Sequence, residues 1–210
     1  MTARAADARI ALAIQEIDQI EAYFRLLARW NPTINLTALR LDKPSDSTLD
    51  RLLIEPLAAA ASVQSSPGRW IDLGSGGGSP AIPLKIVRPR LTLTMVEARE
   101  RKAAFLREAV RDLGLTTADV LNERLEALPA RQPDLAGRYT LATVRGVRID
   151  PRLLKVARWL LAAGGRLLLF GTPDLSLAGD ERFEPAQRVD LGVEGSTLWI
   201  LTAGVPRGTL

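Results

Sequence analysis

The chain contains no cysteine and no histidine. Without cysteine it can form neither a disulfide bond nor a thiolate metal site, and a nucleophilic cysteine is excluded. Without histidine it lacks the usual general base near neutral pH, the Ser-His-Asp triad and most zinc or iron sites. We therefore expect no bound metal, and a reaction that needs little proton transfer or uses a carboxylate for it.

Long apolar runs are also missing. No uninterrupted stretch approaches the roughly 18 apolar residues that a membrane span needs. The first residues, MTARAADARI, have neither the apolar core nor the cleavage pattern that is typical of a signal peptide. The sequence therefore predicts a cytoplasmic protein with no membrane partner.

The formal net charge is +4 at pH 7, which is compatible with an anionic partner such as a nucleic acid. Four of the 28 basic residues are lysines and the other 24 are arginines, and heavy arginine use can also reflect genome composition. Net charge alone therefore leaves nucleic-acid binding open. No pattern in the chain indicates an oligomeric state.

The first part of the chain has a helical pattern. Residues 4–30 carry apolar side chains at helical spacing, and Asn31-Pro32 predicts the end of that helix. A second helix is predicted over about 46–62. Beyond residue 66 the apolar residues no longer keep helical spacing alone. We therefore expect an N-terminal helical segment, residues 1–66, packed on a second unit, residues 67–210.

Beyond residue 66, strand-like runs alternate with helical patterns, which is typical of a parallel sheet wrapped by helices. The last two runs predict a hairpin across Gly192–Gly195, whose final strand would be antiparallel to its neighbours. The predicted fold class is α/β: a doubly wound, mostly parallel, seven-stranded sheet with a C-terminal antiparallel hairpin. The strand-like runs cover 69–73, 91–97, 118–122, 139–144, 166–170, 182–191 and 196–203.

The segment 71–83, IDLGSGGGSPAIP, places a glycine-rich turn between a strand and a helix. Nucleotide-like ligands bind α/β folds at such turns, because glycine permits positive φ and lets a ligand approach the backbone. Pro80 and Pro83 remove N–H groups that a diphosphate would need at the helix N-terminus. S-adenosylmethionine therefore fits better than a dinucleotide. The predicted cofactor positions in this unit are Asp72, Gly74, Ser75, Gly76, Gly78 and Ser79.

Glu97 ends the second predicted strand, about 20 positions past the glycine turn, where an acidic residue can accept hydrogen bonds from ribose hydroxyls. It could instead cap the following helix, which begins near Arg99. Asp72, the glycine turn and Glu97 in one strand–helix–strand unit together favour an adenosine cofactor.

Several motifs resemble those of the bacterial small-subunit ribosomal RNA guanine-N7 methyltransferases, the GidB or RsmG family. They are IDLGSGGGSPAIPLKIVRP (71–89), ARERKAAFLRE (98–108), Trp30-Asn31, Ile34–Thr37 and Asn122–Glu126, within a resemblance that spans about residues 20–205. The resemblance implies a Rossmann-like methyltransferase fold, S-adenosylmethionine as the cofactor, and ribosomal RNA or the small ribosomal subunit as the partner. It also implies cofactor contacts by Gly74, Ser79, Leu125, Glu126 and Arg145, with Glu97 at the ribose.

The chain departs from the family pattern at the motifs for the substrate. Arg51–Pro56, RLLIEP, replaces R-H-x-x-D-S; Val144–Gly146 replaces Ser-Arg-Ala; and Leu169–Gly171 replaces Leu-Lys-Gly. Arg145 is the one residue of the Ser-Arg-Ala motif that this chain keeps, and we assign it the catalytic role. We expect its side chain to face solvent, where it could bind the methionyl carboxylate or an RNA phosphate. Two alternatives stay open. One is a paralogue that kept the cofactor but methylates another substrate, or nothing; the other is an NAD-dependent oxidoreductase, which the two prolines and Ser79 disfavour.

Guanine N7 carries a free lone pair and no proton, so its methylation needs no catalytic base and suits a chain without histidine. The Asn/Asp-Pro-Pro-Tyr motif of amino-group methylases is absent after the fourth predicted strand, and cytosine-C5 chemistry needs a cysteine. The expected catalysis is the positioning of N7, methyl carbon and sulfur in line. Two basic sets follow the second and fourth predicted strands and could contact RNA phosphates, although solvated helix faces are an equal explanation for Arg107, Arg111 and Arg158. The sets are Arg99, Arg101, Lys102, Arg107 and Arg111, and Arg145, Arg148, Arg152, Lys155 and Arg158.

Overall fold

The computed structural model describes residues 4, 5, 8, 10–171 and 182–204. Its first long helix, α1, spans Ile14–Ile34 and continues through Pro32. Proline removes only its own N–H, and the helix closes three residues later, where the Asn35 N–H donates to the Asn31 carbonyl oxygen (2.9 Å). Asn35 has a φ of 51°, a left-handed conformation that asparagine adopts more readily than most residues. The predicted helix end at Asn31-Pro32 is therefore wrong.

A second helical stretch matches the prediction over 46–62. It consists of α2 (Asp46–Leu49), a π-helical turn (Asp50–Ile54), α3 (Glu55–Ala59) and a 3₁₀ turn (Ala60–Ser62). Pro56 lies in this stretch and has no N–H to donate to the Leu52 carbonyl oxygen. The Ser79 hydroxyl donates to that oxygen instead, at 2.8 Å. The proline thus leaves an acceptor through which the second helical stretch binds the glycine turn.

Seven strands of the described residues form one sheet. They are β1 (Gly68–Leu73), β2 (Leu91–Val96), β3 (Ala118–Leu121), β4 (Tyr139–Arg145), β5 (Leu161–Phe170), β6 (Gln187–Asp190) and β7 (Thr197–Thr202). Their order is β3-β2-β1-β4-β5-β7-β6. Strands β1 to β5 pair in parallel, and β7 is antiparallel to both β5 and β6. The predicted mostly parallel sheet and its C-terminal hairpin are confirmed.

Helices cover both faces of the sheet, as a doubly wound fold requires. Further α-helices are α4 (Ala81–Val87), α5 (Glu100–Asp112), α6 (Leu128–Arg131) and α7 (Pro151–Leu160). Trp70 of β1 points into the core that α1, α4 and α5 cover, whereas Ile71 and Leu73 point into the opposite core with α7. No helix in the described residues is long and apolar enough to cross a membrane.

The strand order reverses next to β1, because the chain runs from β1 outward to β2 and β3 and later returns to β4 on the other side of β1. In open α/β sheets, ligands bind outside the carboxyl ends of the strands at such a switch point. Leu73 ends β1 and Arg145 ends β4, so the loops that follow these residues face one crevice.

Candidate functional site

A cleft of about 950 Å³ opens at the carboxyl ends of β1, β2 and β4. Its size is typical of small-molecule sites. Among the described residues, no cluster of His, Cys, Asp or Glu side chains could hold a metal ion. Asp72 and Gly78 do not line the cleft. The sequence-predicted cofactor residues that do line it are Gly74, Ser75, Gly76, Ser79, Glu97, Leu125, Glu126 and Arg145.

The glycine turn forms part of the cleft wall and is fastened to the end of β2. The Gly74 and Ser75 N–H groups both donate to the Val96 carbonyl oxygen, at 2.9 Å each. Gly76 has a φ of 52°, and a Cβ built on it would meet only the Gly74 carbonyl oxygen, at 3.8 Å. A side chain at Gly76 would therefore be strained and would project into the cleft, so glycine keeps this surface open.

Gly78 connects the glycine turn to the start of α4 through two backbone hydrogen bonds. Its N–H donates to the Ser75 carbonyl oxygen (2.7 Å), and its own carbonyl oxygen accepts from the Ile82 N–H (2.7 Å). A Cβ on Gly78 would collide with the Ile82 side chain. Gly78 thus lets α4 pack closely against the turn, and the predicted cofactor contact by Gly78 stays a prediction.

Asp72 lies beneath the turn and is 1% exposed. It faces Thr143 across the β1–β4 pair, and the Thr143 hydroxyl donates to Asp72 Oδ1 (2.5 Å) while accepting from Trp70 Nε1 (2.9 Å). Burial raises the pKa of Asp72 to about 6. Asp72 does not line the cleft, because strand alternation turns its side chain into the core on the same face as Trp70; its predicted cofactor contact stays a prediction.

Glu97 joins two backbone segments. Its Oε2 accepts from the Gly76 N–H (2.9 Å), and its Oε1 accepts from the Arg99 N–H (2.8 Å), directly before α5 begins. The second bond fixes the residue directly before α5, but it does not cap the helix, because no side chain in the described part of the chain accepts from the N–H groups of the first turn of α5. A carboxylate offers about four lone-pair positions, and Glu97 lines the cleft. It can therefore still accept from ribose hydroxyls, and that role stays a prediction.

Arg145 lines the cleft, but its side chain is only 9% exposed. Its Nη2 forms an ion pair with Glu55, and its Nη1 lies 3.3 Å from the Ser79 hydroxyl oxygen. The guanidinium also lies 5.5 Å from the centre of the Phe170 ring, and Glu55 accepts a further hydrogen bond from the Ser196 hydroxyl (2.5 Å). The prediction of a solvent-facing arginine is wrong, because a carboxylate from the second helical stretch covers it.

The electrostatics of this pair follow from its burial. Burial lowers the pKa of Arg145, and the charge of Glu55 acts in the opposite direction. The carboxylate of Glu55 neutralises most of the positive charge of Arg145, so the pair is close to neutral overall. The remaining guanidinium N–H groups are donors of fixed direction, which can bind a carboxylate or a carbonyl oxygen.

The N-terminal helices supply part of the site that the sequence did not indicate. Residues 36–39, which follow α1, line the cleft, and the Tyr23 hydroxyl of α1 donates to the Gly77 carbonyl oxygen (2.7 Å). The motif Ile34–Thr37 was noted in the resemblance without a role in the site. Glu55 could have been found, because it is a charged residue within the apolar run LLIEPL, and buried charges usually have a partner.

Comparisons with known proteins bear on the whole central part of the chain. A family model described as "rRNA small subunit methyltransferase G" matches residues 16–173. A protein from Chloroflexus aggregans, named "Ribosomal RNA small subunit methyltransferase G", is 40% identical over 159 residues, which are 76% of this chain and 65% of that protein. A protein of the same name from Stenotrophomonas maltophilia is 43% identical over 148 residues, which are 70% of this chain and 64% of that protein. The chain thus spans slightly less than two thirds of the length of these relatives.

A solved structure shares the fold at low sequence identity. The crystal structure of a SAM-dependent methyltransferase from Aquifex aeolicus matches with a TM-score of 0.60 and 15% identity, covering 77% of this chain and 94% of that chain. At this identity the likeness shows the fold alone, a Rossmann-like methyltransferase sheet.

Proposed function

The chain belongs to the rRNA small subunit methyltransferase G family, and we propose that it is an S-adenosylmethionine-dependent methyltransferase that modifies guanine N7 in small-subunit (16S) ribosomal RNA. The observation that carries the proposal is the cleft at the switch point of the sheet, with its open glycine turn and Glu97. Ribosomal RNA, free or in the small subunit, is the proposed partner. An enzyme that acts on it would work in the cytoplasm.

The residues of the cleft fit the proposed cofactor. Gly76 leaves room for a ligand against the backbone, and Glu97 has lone pairs free for ribose hydroxyls. Leu125 and Glu126, in the turn after β3, line the same cleft and would contact the nucleoside. Arg145 would donate to the methionyl carboxylate. When bound, S-adenosylmethionine supplies the electrophilic methyl group.

The start of α4 does not suit a diphosphate. Dinucleotide-binding folds hold the pyrophosphate with free N–H groups at a helix N-terminus. Here Pro80 precedes the helix and Pro83 lies in its first turn, so neither has an N–H to donate. The Ile82 N–H is already bound to the Gly78 carbonyl oxygen, at 2.7 Å. This arrangement favours a cofactor without phosphate and argues against an NAD-dependent oxidoreductase.

The proposed reaction matches the proton chemistry of the cleft. Asp72 has a raised pKa of a kind that suits a general base, but it lies beneath the turn and does not line the cleft. Guanine N7 has no proton to lose, so its methylation does not need such a base. The task of the lining residues is then to exclude water and to hold the base and the cofactor in line.

Binding and transfer can be tested separately. In calorimetry, S-adenosylhomocysteine should bind and NAD should not. Preferential binding of NAD would refute the assignment of S-adenosylmethionine as the cofactor. Labelled S-adenosylmethionine should then methylate unmodified small ribosomal subunits or naked rRNA, with the product identified as N7-methylguanosine. Cofactor binding without transfer to either form of RNA would overturn the rRNA substrate and favour the paralogue with another substrate.

A further inference from the structure

A second cavity, of about 460 Å³, adjoins the cleft. It is a groove between the end of α1 and the first turn of α5, and Arg99 and Lys102 line both the groove and the cleft. We call it the α1–α5 groove; its other lining residues are Thr33, Ile34, Asn35, Glu100 and Arg101. A polymer with one nucleotide in the cleft would therefore meet a continuing surface on this side.

The α1–α5 groove is positively charged. It carries the three cations Arg99, Arg101 and Lys102 against one carboxylate, and none of the three has an ion-pair partner within the part of the chain that the structure describes. Elsewhere on the same two helices, Arg29 of α1 pairs with Glu108 of α5 at 2.7 Å. Three unpaired cations within four residues repel one another, and the N-terminal end of α5 adds partial positive charge. An anionic ligand would relieve this repulsion.

The basic residues after β4 are less suited to this role. Arg145 is buried in its pair with Glu55. Arg158 donates to two backbone carbonyl oxygens, that of Leu161 at the start of β5 (3.2 Å) and that of Gly204 after β7 (2.8 Å). Of the two basic sets that the sequence offered, only the set at the start of α5 leads continuously out of the cleft. The members that line neither cavity are Arg107, Arg111, Arg148, Arg152, Lys155 and Arg158.

We propose that the RNA strand with the target guanine leaves the cleft through the α1–α5 groove, where Arg99, Arg101 and Lys102 contact its phosphates. The inference rests on the proposed function and adds the path of the substrate strand to it. Phosphate contacts fix the register of a nucleic acid without reading its sequence. The groove would thus place the guanine in the cleft, while the cleft itself selects the atom that is methylated.

Arg101→Ala is the most informative substitution, because Arg101 lines the groove but not the cleft. Arg107→Ala is its matched control: it removes the same charge from an exposed position of the same helix that lines neither cavity. Both variants and the unmutated chain are compared for binding of a labelled small-subunit rRNA fragment at several salt concentrations. S-adenosylhomocysteine affinity and methyl transfer are measured on the same preparations.

Arg101→Ala should weaken RNA binding about three- to tenfold near 0.1 M salt, and should reduce the salt slope of log K by about 0.7, which corresponds to one single-stranded phosphate contact. Its S-adenosylhomocysteine affinity should not change, and Arg107→Ala should match the unmutated chain. If the two substitutions have equal effects on RNA binding, or if the salt slope is unchanged for Arg101→Ala, the α1–α5 groove does not contact the RNA phosphates and the proposal is refuted. If the unmutated chain transfers no methyl group to any RNA, the proposed function itself is refuted. The groove assignment, which rests on that function, is then refuted too.

Discussion

Arg145→Ala tests whether the ion pair with Glu55 supports the fold as well as the cleft. The Arg145 side chain is 9% exposed and that of Glu55 is 14% exposed, so the substitution leaves a nearly buried carboxylate without its cation. Breaking a buried ion pair by removing one partner typically costs about 3–5 kcal/mol. Because Glu55 keeps its hydrogen bond from Ser196 (2.5 Å), we expect a loss near the lower end, about 3 kcal/mol.

The free energy of unfolding is measured by urea denaturation, with the slope m compared between variants. A loss of about 3 kcal/mol corresponds to a fall in Tm of roughly 6–12 °C for a chain of this size. The control is Arg111→Ala, which breaks a pair with Asp112 in which the arginine is 74% exposed; surface pairs of this kind contribute about 0–1 kcal/mol. Adding Glu55→Ala to Arg145→Ala should cost less than the sum of the two single losses, because the partners are coupled. If Arg145→Ala is no more destabilising than Arg111→Ala, the buried pair is refuted.

The glycine turn and its supports provide three more tests. Glu97→Ala should weaken S-adenosylhomocysteine binding by about 1.5–3 kcal/mol, the contribution of a hydrogen bond to a charged group; unchanged affinity in calorimetry would limit Glu97 to joining the glycine turn to the residue before α5. Gly76→Val and Gly114→Val both place a branched side chain at positive φ (52° and 64°) and should each cost about 1–3 kcal/mol of stability. Only Gly76→Val should also abolish binding, because Gly114 does not line the cleft; a folded Gly76→Val protein that binds normally would show that the turn is only structural. The pKa of Asp72 is raised to about 6, so its contribution to stability is present below about pH 4 and is lost as the pH rises through 6. The stability of the unmutated chain relative to Asp72→Asn should therefore fall by about 2 kcal/mol from pH 4 to 6, and by about 3 kcal/mol over the wider range from about pH 3 to 7; a pH-independent difference would contradict this.

Features encoded in short segments were predictable from the sequence. Each strand and the helix after it form one local pattern, so the alternation beyond residue 66 predicted the sheet, its hairpin and the edge at which the cleft lies. The glycine turn and Glu97 follow neighbouring parallel strands, and their meeting at one edge needs no more than parallel pairing. The structure joins them directly through the Gly76 N–H.

Features that depend on distant packing were not predictable. Both faces of a parallel sheet are buried, so the alternation in β1 does not by itself show whether Asp72 faces a ligand or the core. The burial of Asp72 depends on Thr143, which is 71 positions away along the chain. The pair between Glu55 and Arg145 joins positions 90 residues apart, and it depends on where the second helical stretch packs.

The N-terminal helices belong to the site and do more than cover the sheet. The Tyr23 hydroxyl holds the Gly77 carbonyl oxygen, the second helical stretch accepts from the Ser79 hydroxyl, and Glu55 pairs with Arg145. All three contacts end on the glycine turn or at the end of β4, which are the places that shape the cleft. Catalysis by positioning depends on groups held rigidly by their surroundings, so the helices and the sheet must act as one unit. The family match accordingly takes in both, since residues 16–173 begin within α1 and include β1 to β5.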